Sequence, residues 1–147
     1  MVVQDDNVND FEDKLKAFFL NEGFLDFKSD RWKQMKLDFC VPDKVKKKET
    51  LKIIRDNIMK DQPGVYVIRK LENKEVLYVG TSKNIQNRIL RHYSKMYGNK
   101  GSLSKGAFLE NQGEVLITWS VCTEVRMRGI LERVLKLYLN PIYDKER

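Results

Sequence analysis

The feature that most constrains this chain is a change in hydrophobic period between residues 60 and 80. Two short runs rich in β-branched and aromatic residues, VYVI at 65–68 and VLYV at 76–79, are separated by the polar turn ENK at 72–74. Such runs around a turn predict an antiparallel β-hairpin. The segments on either side follow a helical period instead, so the sequence predicts a hairpin flanked by helices.

Apolar spacing places the remaining elements. It predicts helices at 10–20, 46–60, 84–97 and 123–139, a short helix around 103–111, and a third strand at 115–121. In the last helix the positions expected to be buried are Met127, Ile130, Leu131, Val134, Leu135 and Tyr138. Residues 30–39 are ambiguous, and the spacing of Trp32, Met35 and Phe39 favours a short helix there.

Together these elements predict an α/β (α+β) fold. We expect a small three-stranded antiparallel sheet flanked by helices, with a β-β-α-(α)-β-α core. Residues 1–60 would form an N-terminal helical extension that packs on or caps the core, and residues 61–147 would form the main domain. A length of 147 residues fits a single hydrophobic core of this size.

The charge is distributed unevenly. The net charge of +7 indicates a polyanionic partner only weakly, since net charge bears on association rather than fold. Residues 1–30, however, hold three basic and eight acidic residues, whereas residues 31–60 hold ten and four. Residues 81–109 contain six basic residues and no acidic one. A stretch of that length without a carboxylate favours a surface that faces phosphates over an ordinary solvated face.

Several classes of protein are excluded by pattern. The longest apolar runs have four or five residues, whereas a membrane-spanning helix needs about 20. The N-terminal residues lack the basic and then apolar pattern of a secretion signal. Cys40 and Cys122 lie outside any CxxC pair, which favours buried thiols in a reducing compartment over a disulfide or zinc scaffold. We therefore expect no membrane association and a cytoplasmic or nucleoid-associated protein that is not secreted.

Two tyrosines stand at the ends of the hairpin strands. Tyr66 follows Gly64 at the start of the first strand, and Tyr78 precedes Gly80 at the end of the second. Antiparallel pairing would bring the two phenols together on one face. Taken singly, a tyrosine in a strand is more often a core residue with a satisfied hydroxyl.

Three further polar residues lie on the two following helices. Arg88 and His92 are four residues apart and therefore share one side of a helix. Glu132 precedes Lys136 by four residues, the favourable orientation for an ordinary surface ion pair. None of these residues alone justifies a functional claim.

Together they resemble the GIY-YIG nuclease superfamily, whose signature is a pair of tripeptides on a hairpin. Here the tripeptides are GVY at 64–66 and YVG at 78–80. The likeness continues through TSKNIQNR at 81–88, His92, Glu132 and LNPIYD at 139–144, and covers residues 62–145. Two positions depart from the pattern: Asp144 stands where asparagine is common, and Thr81 stands where the excision-repair members have lysine.

The resemblance implies a metal-dependent DNA endonuclease that hydrolyses phosphodiester bonds. It implies a single divalent cation, Mg²⁺ or Mn²⁺. The residues implied as catalytic are Tyr66, Tyr78, Arg88, His92 and Glu132, with Glu132 as the metal ligand and Asn140 and Asp144 supporting it. The residues expected to contact DNA are Gly80, Lys83, Arg91, Lys95, Lys100 and Lys105.

The roles follow from the chemistry that the resemblance implies. Arg88 would hold the scissile phosphate with its planar, permanently charged fork. Tyr66 would act as general base or orient the attacking water, with Tyr78 in the same hydrogen-bond network. A phenol of pKa about 10 is a poor base at neutral pH, so a nearby cation, His92 or a metal-bound water would have to lower that pKa. Which group takes the proton stays open.

Alternatives remain at this stage. The biological setting could be restriction, repair or defence against mobile elements, and a homodimer is an option for cutting both strands. A catalytically silent nucleic-acid-binding module on the same fold, or a small-ligand or regulatory domain, would also fit the composition, but the intact set of five residues favours an enzyme. The basic, aromatic segment 31–60 is our candidate for substrate preference, unless it only caps the core.

Overall fold

The computed structural model describes residues 2–98 and 108–143. Its described part contains, in order, helix α1 (Val2–Asn21), strand β1 (Lys33–Phe39), helix α2 (Lys44–Asn57), strands β2 (Gly64–Lys70) and β3 (Val76–Ser82), helix α3 (Ile85–Ser94), strand β4 (Gly113–Val121) and helix α4 (Val125–Leu139). The short helix expected around 103–111 falls mostly outside the described residues, although 108–110 are helical. The chain forms two compact units, residues 1–32 and 33–147.

The first unit consists of α1 and the turns that follow it. Helix α1 ends at Asn21, one residue after the predicted end. Gly23 follows in the left-handed region, at φ +80°, a conformation that favours glycine. Phe19 is fully buried and packs edge-to-face on Phe24, at 5.6 Å between ring centroids. The Arg31 guanidinium pairs with the Glu22 carboxylate at 2.6 Å.

The second unit is a mixed α/β fold on a four-stranded sheet in the order β1-β4-β2-β3, with every neighbouring pair antiparallel. The predicted α/β class and the hairpin are confirmed. The sheet has one strand more than the three expected, because residues 33–39 form β1, where a short helix was expected.

The expectation of a helix at 30–39 was wrong because its spacing joined residues of different units. Trp32 belongs to the first unit, and its indole N–H donates to the carbonyls of Gly23 and Phe24 at 3.2 Å each. Met35, Leu37 and Phe39 are buried at every second position, which is the strand period. Their partner is β4, a segment far along the chain that local spacing does not reveal.

One face of the sheet carries the main hydrophobic core. Helices α2 and α3 pack there side by side and contribute buried isoleucines to one cluster with the sheet residues Tyr66, Ile68, Ile117 and Trp119. Strand alternation turns Val65 and Val67 to the opposite face. They are buried outside that cluster, as are Leu131 and Leu135 of α4, which contacts β2 and β3.

The burial expected for α4 was correct only in part. Leu131 and Leu135 are fully buried, but Ile130 is 40% exposed and Tyr138 is 65% exposed. The buried residues of this helix form a narrow stripe that also contains Arg128, whose guanidinium donates to the Cys122 carbonyl at 3.4 Å. Among the described residues, no helix combines the length and apolar character that crossing a membrane requires.

The residues after α4 return to the hairpin. Asn140 caps the helix in the left-handed region, at φ 49°, and its N–H donates to the Lys136 carbonyl. The N–H groups of Ile142 and Tyr143 then donate to the carbonyls of Val76 and Leu77 at 3.0 Å. This places Tyr143 beside Tyr78, in a parallel bridge at the outer edge of β3.

Candidate active site

The hairpin register brings the two motif tyrosines together. Tyr66 lies opposite Gly80, and Tyr78 lies opposite Ile68, so both side chains project from the same face of the sheet. Their rings stack with centroids 5.9 Å apart and planes inclined by 20°. Tyr66 is fully buried and Tyr78 is 6% exposed.

The two motif glycines are needed for close packing. A Cβ at Gly80 would lie 2.6 Å from the Tyr66 hydroxyl oxygen and 2.8 Å from the Tyr78 ring. A Cβ at Gly64 would lie 2.0 Å from the Ser120 carbonyl oxygen on β4. Gly80, expected from the sequence to contact substrate, therefore has a visible packing role: its missing side chain leaves room for the Tyr66 phenol.

Helix α3 supplies the third member of the cluster. Asn84 caps this helix by accepting from the N–H of Asn87 at 3.1 Å. Two turns further on, His92 is fully buried, and its Nε2 lies 2.7 Å from the Tyr66 hydroxyl. The imidazole also packs edge-on against Tyr78, with ring centroids 4.8 Å apart.

Arg88, one helical turn before His92, completes the cluster. Its half-buried guanidinium lies near the hydroxyls of both Tyr66 and Tyr78 and interacts with them electrostatically. Burial by itself lowers the pKa of Arg88, but the hydrogen bonds and charge interactions with the two tyrosines outweigh it and raise that pKa. The guanidinium therefore stays charged beside the two phenols.

The proton positions follow from the donor inventory. Arg88 can only donate, so the Tyr66 oxygen accepts from it. Burial is the largest effect on the pKa of Tyr66 and raises it; Tyr78 adds to the rise, and Arg88 opposes it. The phenol thus keeps its proton at neutral pH, and the tautomer of His92 decides whether Tyr66 donates to Nε2 or accepts from it. Arg88 lowers the pKa of Tyr66, the direction expected of a neighbouring cation, but burial outweighs it and the net shift is upward.

This pKa shift predicts how stability depends on pH. The folded phenol keeps its proton to higher pH than the unfolded one, so its stabilisation is complete below about pH 10 and is lost above it. We expect the free energy of unfolding to fall above that pH, with a slope shallower in Tyr66→Phe by up to about 1.4 kcal/mol per pH unit. Urea unfolding at several alkaline pH values measures both slopes.

The control for this measurement is Tyr138→Phe, since Tyr138 is 65% exposed on α4 and should leave the wild-type slope unchanged. Tyr93 and Tyr143, whose pKa values are also raised by burial, remain in all three proteins. Equal slopes for Tyr66→Phe and the wild type would mean that Tyr66 does not hold its proton in the folded state.

The described contacts of Glu132 do not include the side chains of this cluster. Its carboxylate, 20% exposed in the middle of α4, pairs with the Lys136 ammonium at 3.7 Å. Among the described residues, no hydrogen bond or ion pair joins Glu132 to Tyr66, Tyr78 or Arg88. The structure therefore brings four of the five predicted catalytic residues together and leaves the place of Glu132 relative to them a prediction.

The remaining predicted residues are dispersed. Lys83 and Arg91 are exposed at the start and on the outer side of α3, and Lys95 is half-buried at its C-terminal end. Asn140 is explained by its helix cap. Lys100, Lys105 and Asp144 lie outside the described residues.

Sequence reasoning missed one aromatic residue of the cluster. Phe108 is 1% exposed and packs edge-on against His92, with ring centroids 5.3 Å apart, and near Tyr78 and Tyr143 at 6.3 Å. Tyr143 is in turn held by a hydrogen bond from the Asn111 amide. The available signal was a single aromatic residue, Phe108, following a polar and glycine-rich segment.

The donor set limits the kind of metal that could bind. Within residues 2–98 and 108–143 there is no group of three or more His, Cys, Asp or Glu side chains arranged for a metal ion. A single accessible carboxylate such as Glu132 fits Mg²⁺, which binds one or two carboxylates and retains several waters. It does not fit a zinc or calcium cage.

The part of the chain that carries the cluster matches a known family. The sequence profile of the GIY-YIG catalytic domain matches residues 62–143. The chain is also similar to solved structures of the GIY-YIG N-terminal endonuclease domain of UvrC from Thermotoga maritima, point mutants described as bound to their catalytic divalent cation. They are 23–24% identical, with a TM-score of 0.47, and the match covers 63% of this chain and 96% of theirs. No curated protein matches the sequence.

Proposed function

The chain belongs to the GIY-YIG catalytic-domain family, and from this membership we propose that it is a DNA endonuclease that hydrolyses phosphodiester bonds with one divalent cation. The observation that carries the proposal is the hydrogen-bonded cluster of Tyr66, His92, Arg88 and Tyr78. A buried tyrosine–histidine pair beside a permanent cation provides a proton relay next to an anion site, which phosphoryl transfer requires.

Arg88 is the residue placed to hold the scissile phosphate. Arg88 is half-buried and interacts with the two phenols, so it remains partly accessible to a phosphate. The planar fork matches two phosphate oxygens, and negative charge grows on those oxygens as the phosphorus is attacked. Because the phenols fix the guanidinium before substrate arrives, little reorganisation is required.

Tyr66 and His92 can move the proton of the attacking water without forming a phenolate at rest. The Tyr66 oxygen takes a proton from water as its own proton passes to His92 Nε2, 2.7 Å away. The water oxygen bonds to phosphorus and the bond to the leaving oxygen breaks, with the leaving oxygen taking a proton from solvent. The phenol is neutral before and after this step, so its raised pKa is no obstacle.

Glu132 is our candidate ligand for the cation. We expect that cation to be Mg²⁺, with Mn²⁺ as the alternative. Such an ion supplies Lewis-acid stabilisation of charge on the phosphate and on the leaving oxygen. Glu132 supplies the one carboxylate that such an ion requires, and the Lys136 ammonium neutralises that carboxylate when no cation is bound. The DNA substrate and the free thiols of Cys40 and Cys122 favour a cytoplasmic or nucleoid location.

The direct test is cleavage of supercoiled plasmid and of branched DNA in Mg²⁺ or Mn²⁺, with EDTA as the metal-free control. We expect nicked or linear products only when a divalent cation is present. A protein that binds DNA and never cuts under these conditions would be the catalytically silent binding module instead. Cutting of both strands at concentrations where the protein self-associates would support a homodimer.

A further inference from the structure

We propose that the outer side of helix α2, with Lys44, Lys48 and Arg55, binds the phosphate backbone of duplex DNA beside the candidate active site. This surface, which we call the α2 stripe, rests on the proposed function for its substrate. It lies outside the segment 62–143 that matches the family. It would add contacts to substrate beyond those of the cluster of Tyr66, Tyr78, Arg88 and His92.

The structure separates the two roles left open for segment 31–60. Strand β1 and the inner side of α2, where Thr50 and Ile54 are buried, belong to the core. Lys44, Lys48 and Arg55 are all exposed. The apolar residues of the segment therefore build the fold, whereas these basic residues are available to a ligand.

Ion pairs distinguish these residues from the other basic residues of α2. Lys46 pairs with Asp38 of β1 at 3.4 Å, and Lys52 pairs with Asp56 at 3.6 Å. Among the described residues, no ion pair is formed by Lys44, Lys48 or Arg55. Three uncompensated charges thus lie on one helix.

Helical geometry places the three residues on one side. Offsets of four and seven residues bring Lys44, Lys48 and Arg55 to nearly the same angle around the axis. Lys46, which contacts β1, lies on the opposite side at 100° per residue. The stripe therefore faces away from β1. It extends over 11 residues, or about 16 Å, the axial length of about five base pairs.

The side facing away from β1 is the one next to α3. Lys47, three residues from Lys44, has its ammonium 4.0 Å from the centre of the Tyr97 ring, just after α3. The Gln86 amide of α3 donates to the Ile58 carbonyl after α2 at 2.6 Å. Packed helices lie about 8–10 Å apart, so the stripe adjoins α3. Arg91 is exposed on the outer side of α3, whereas Arg88, 200° around the axis from Gln86, lies on the side of α3 turned away from α2.

The charge pattern points to phosphate and away from a role in stability. Helix α3 contains no acidic residue, and the two acidic residues of α2, Glu49 and Asp56, lie about 100–120° around the helix axis from the stripe. Lys44 and Lys48 are four residues apart on a helix, where like charges repel and destabilise it slightly. Two lysines that repel each other and form no ion pair with another described residue are stabilised when phosphates lie against them.

The test compares Lys44→Gln/Lys48→Gln with a matched double variant, Lys33→Gln/Lys36→Gln, which removes two exposed lysines from β1, the strand that the stripe faces away from. Affinity for a 20-base-pair duplex is measured by fluorescence anisotropy in EDTA at several salt concentrations. At about 0.1 M salt the α2 variant should bind up to about 60-fold more weakly, and its log–log salt slope should be smaller by about 1.8, or 0.9 per phosphate contact. The control should stay within about threefold of the wild type.

Each result bears on the inference separately from the proposed function. Equal affinity and slope for the α2 variant and the wild type would overturn the inference, even if the wild type cuts DNA. Weaker binding by the α2 variant alone would support it, even if no protein in the series cuts. Tighter binding of a duplex RNA of the same sequence would overturn duplex DNA as the ligand. Thermal unfolding should show the α2 variant to be at least as stable as the wild type.

Discussion

Arg88→Ala should lower the single-turnover rate of DNA cleavage by about 10²–10³-fold, the effect of removing one preorganised donor from an anion site. The reason is geometric as well as electrostatic. Arg88 lies near the hydroxyls of Tyr66 and Tyr78, and its interactions with them favour one orientation of its fork before substrate arrives. A quenched-flow or gel assay at saturating enzyme measures the chemical step apart from binding.

Two variants separate this role from a general loss of charge. Arg88→Lys keeps the charge but not the planar fork, so we expect an intermediate rate, since lysine binds phosphate only as a point charge. Arg91→Ala removes an exposed arginine three residues further on. It should raise the apparent KM while leaving the single-turnover rate within a few-fold of the wild type, because it would contribute to uniform binding only.

A rate for Arg88→Ala close to that of the wild type would remove Arg88 from the proposed phosphate site. The same holds if Arg91→Ala is equally slow at saturating enzyme, because the loss would then reflect charge near the DNA. Thermal unfolding of all three variants checks the fold. We expect only small changes there, since Arg88 remains partly exposed.

The parts of the fold that local sequence predicts are those with local causes. The hairpin follows from two β-branched runs around a turn, and α3 follows from its apolar stripe of Ile85, Ile89 and Tyr93. The strand at 33–39 was missed because its stabilisation comes from β4, more than 70 residues away. Its alternation of Met35, Leu37 and Phe39 was present in the sequence, but Trp32 extended the pattern into a helical spacing.

The candidate site shows the same division. The stacking of Tyr66 and Tyr78 follows from antiparallel register, and the helical spacing of Arg88 and His92 puts them on one side. The Tyr66–His92 hydrogen bond, by contrast, depends on how α3 lies on the sheet. The sign of the Tyr66 pKa shift depends on burial from several elements together. Neither the hydrogen bond nor the sign of the pKa shift can be predicted from the motif alone.

Glu132→Gln should abolish metal-dependent cleavage, with a loss of at least about 10³-fold, and weaken Mn²⁺ binding measured by calorimetry. The amide keeps the size of the side chain but removes the negative charge that binds a divalent cation. The binding measurement is made without DNA, so it reports on the ligand even if other residues limit the rate.

The matched control is Lys136→Gln, which breaks the same ion pair from its other side. If Glu132 serves only the helix, the two substitutions should affect stability alike and leave cleavage and Mn²⁺ binding unchanged, because both break the same ion pair. If Glu132 binds the cation, the Lys136→Gln protein should still cleave DNA. It should also bind Mn²⁺ at least as tightly as the wild type, since the ammonium no longer competes for the carboxylate. Loss of cleavage and of Mn²⁺ binding in both variants alike, or in neither, would contradict the assignment of Glu132 as the metal ligand. Glu132→Gln removes the carboxylate, and Lys136→Gln removes the ammonium that competes for it. If Glu132 binds the cation, the two substitutions should therefore change Mn²⁺ affinity in opposite directions. If the two residues form only an ion pair, they should have the same effect.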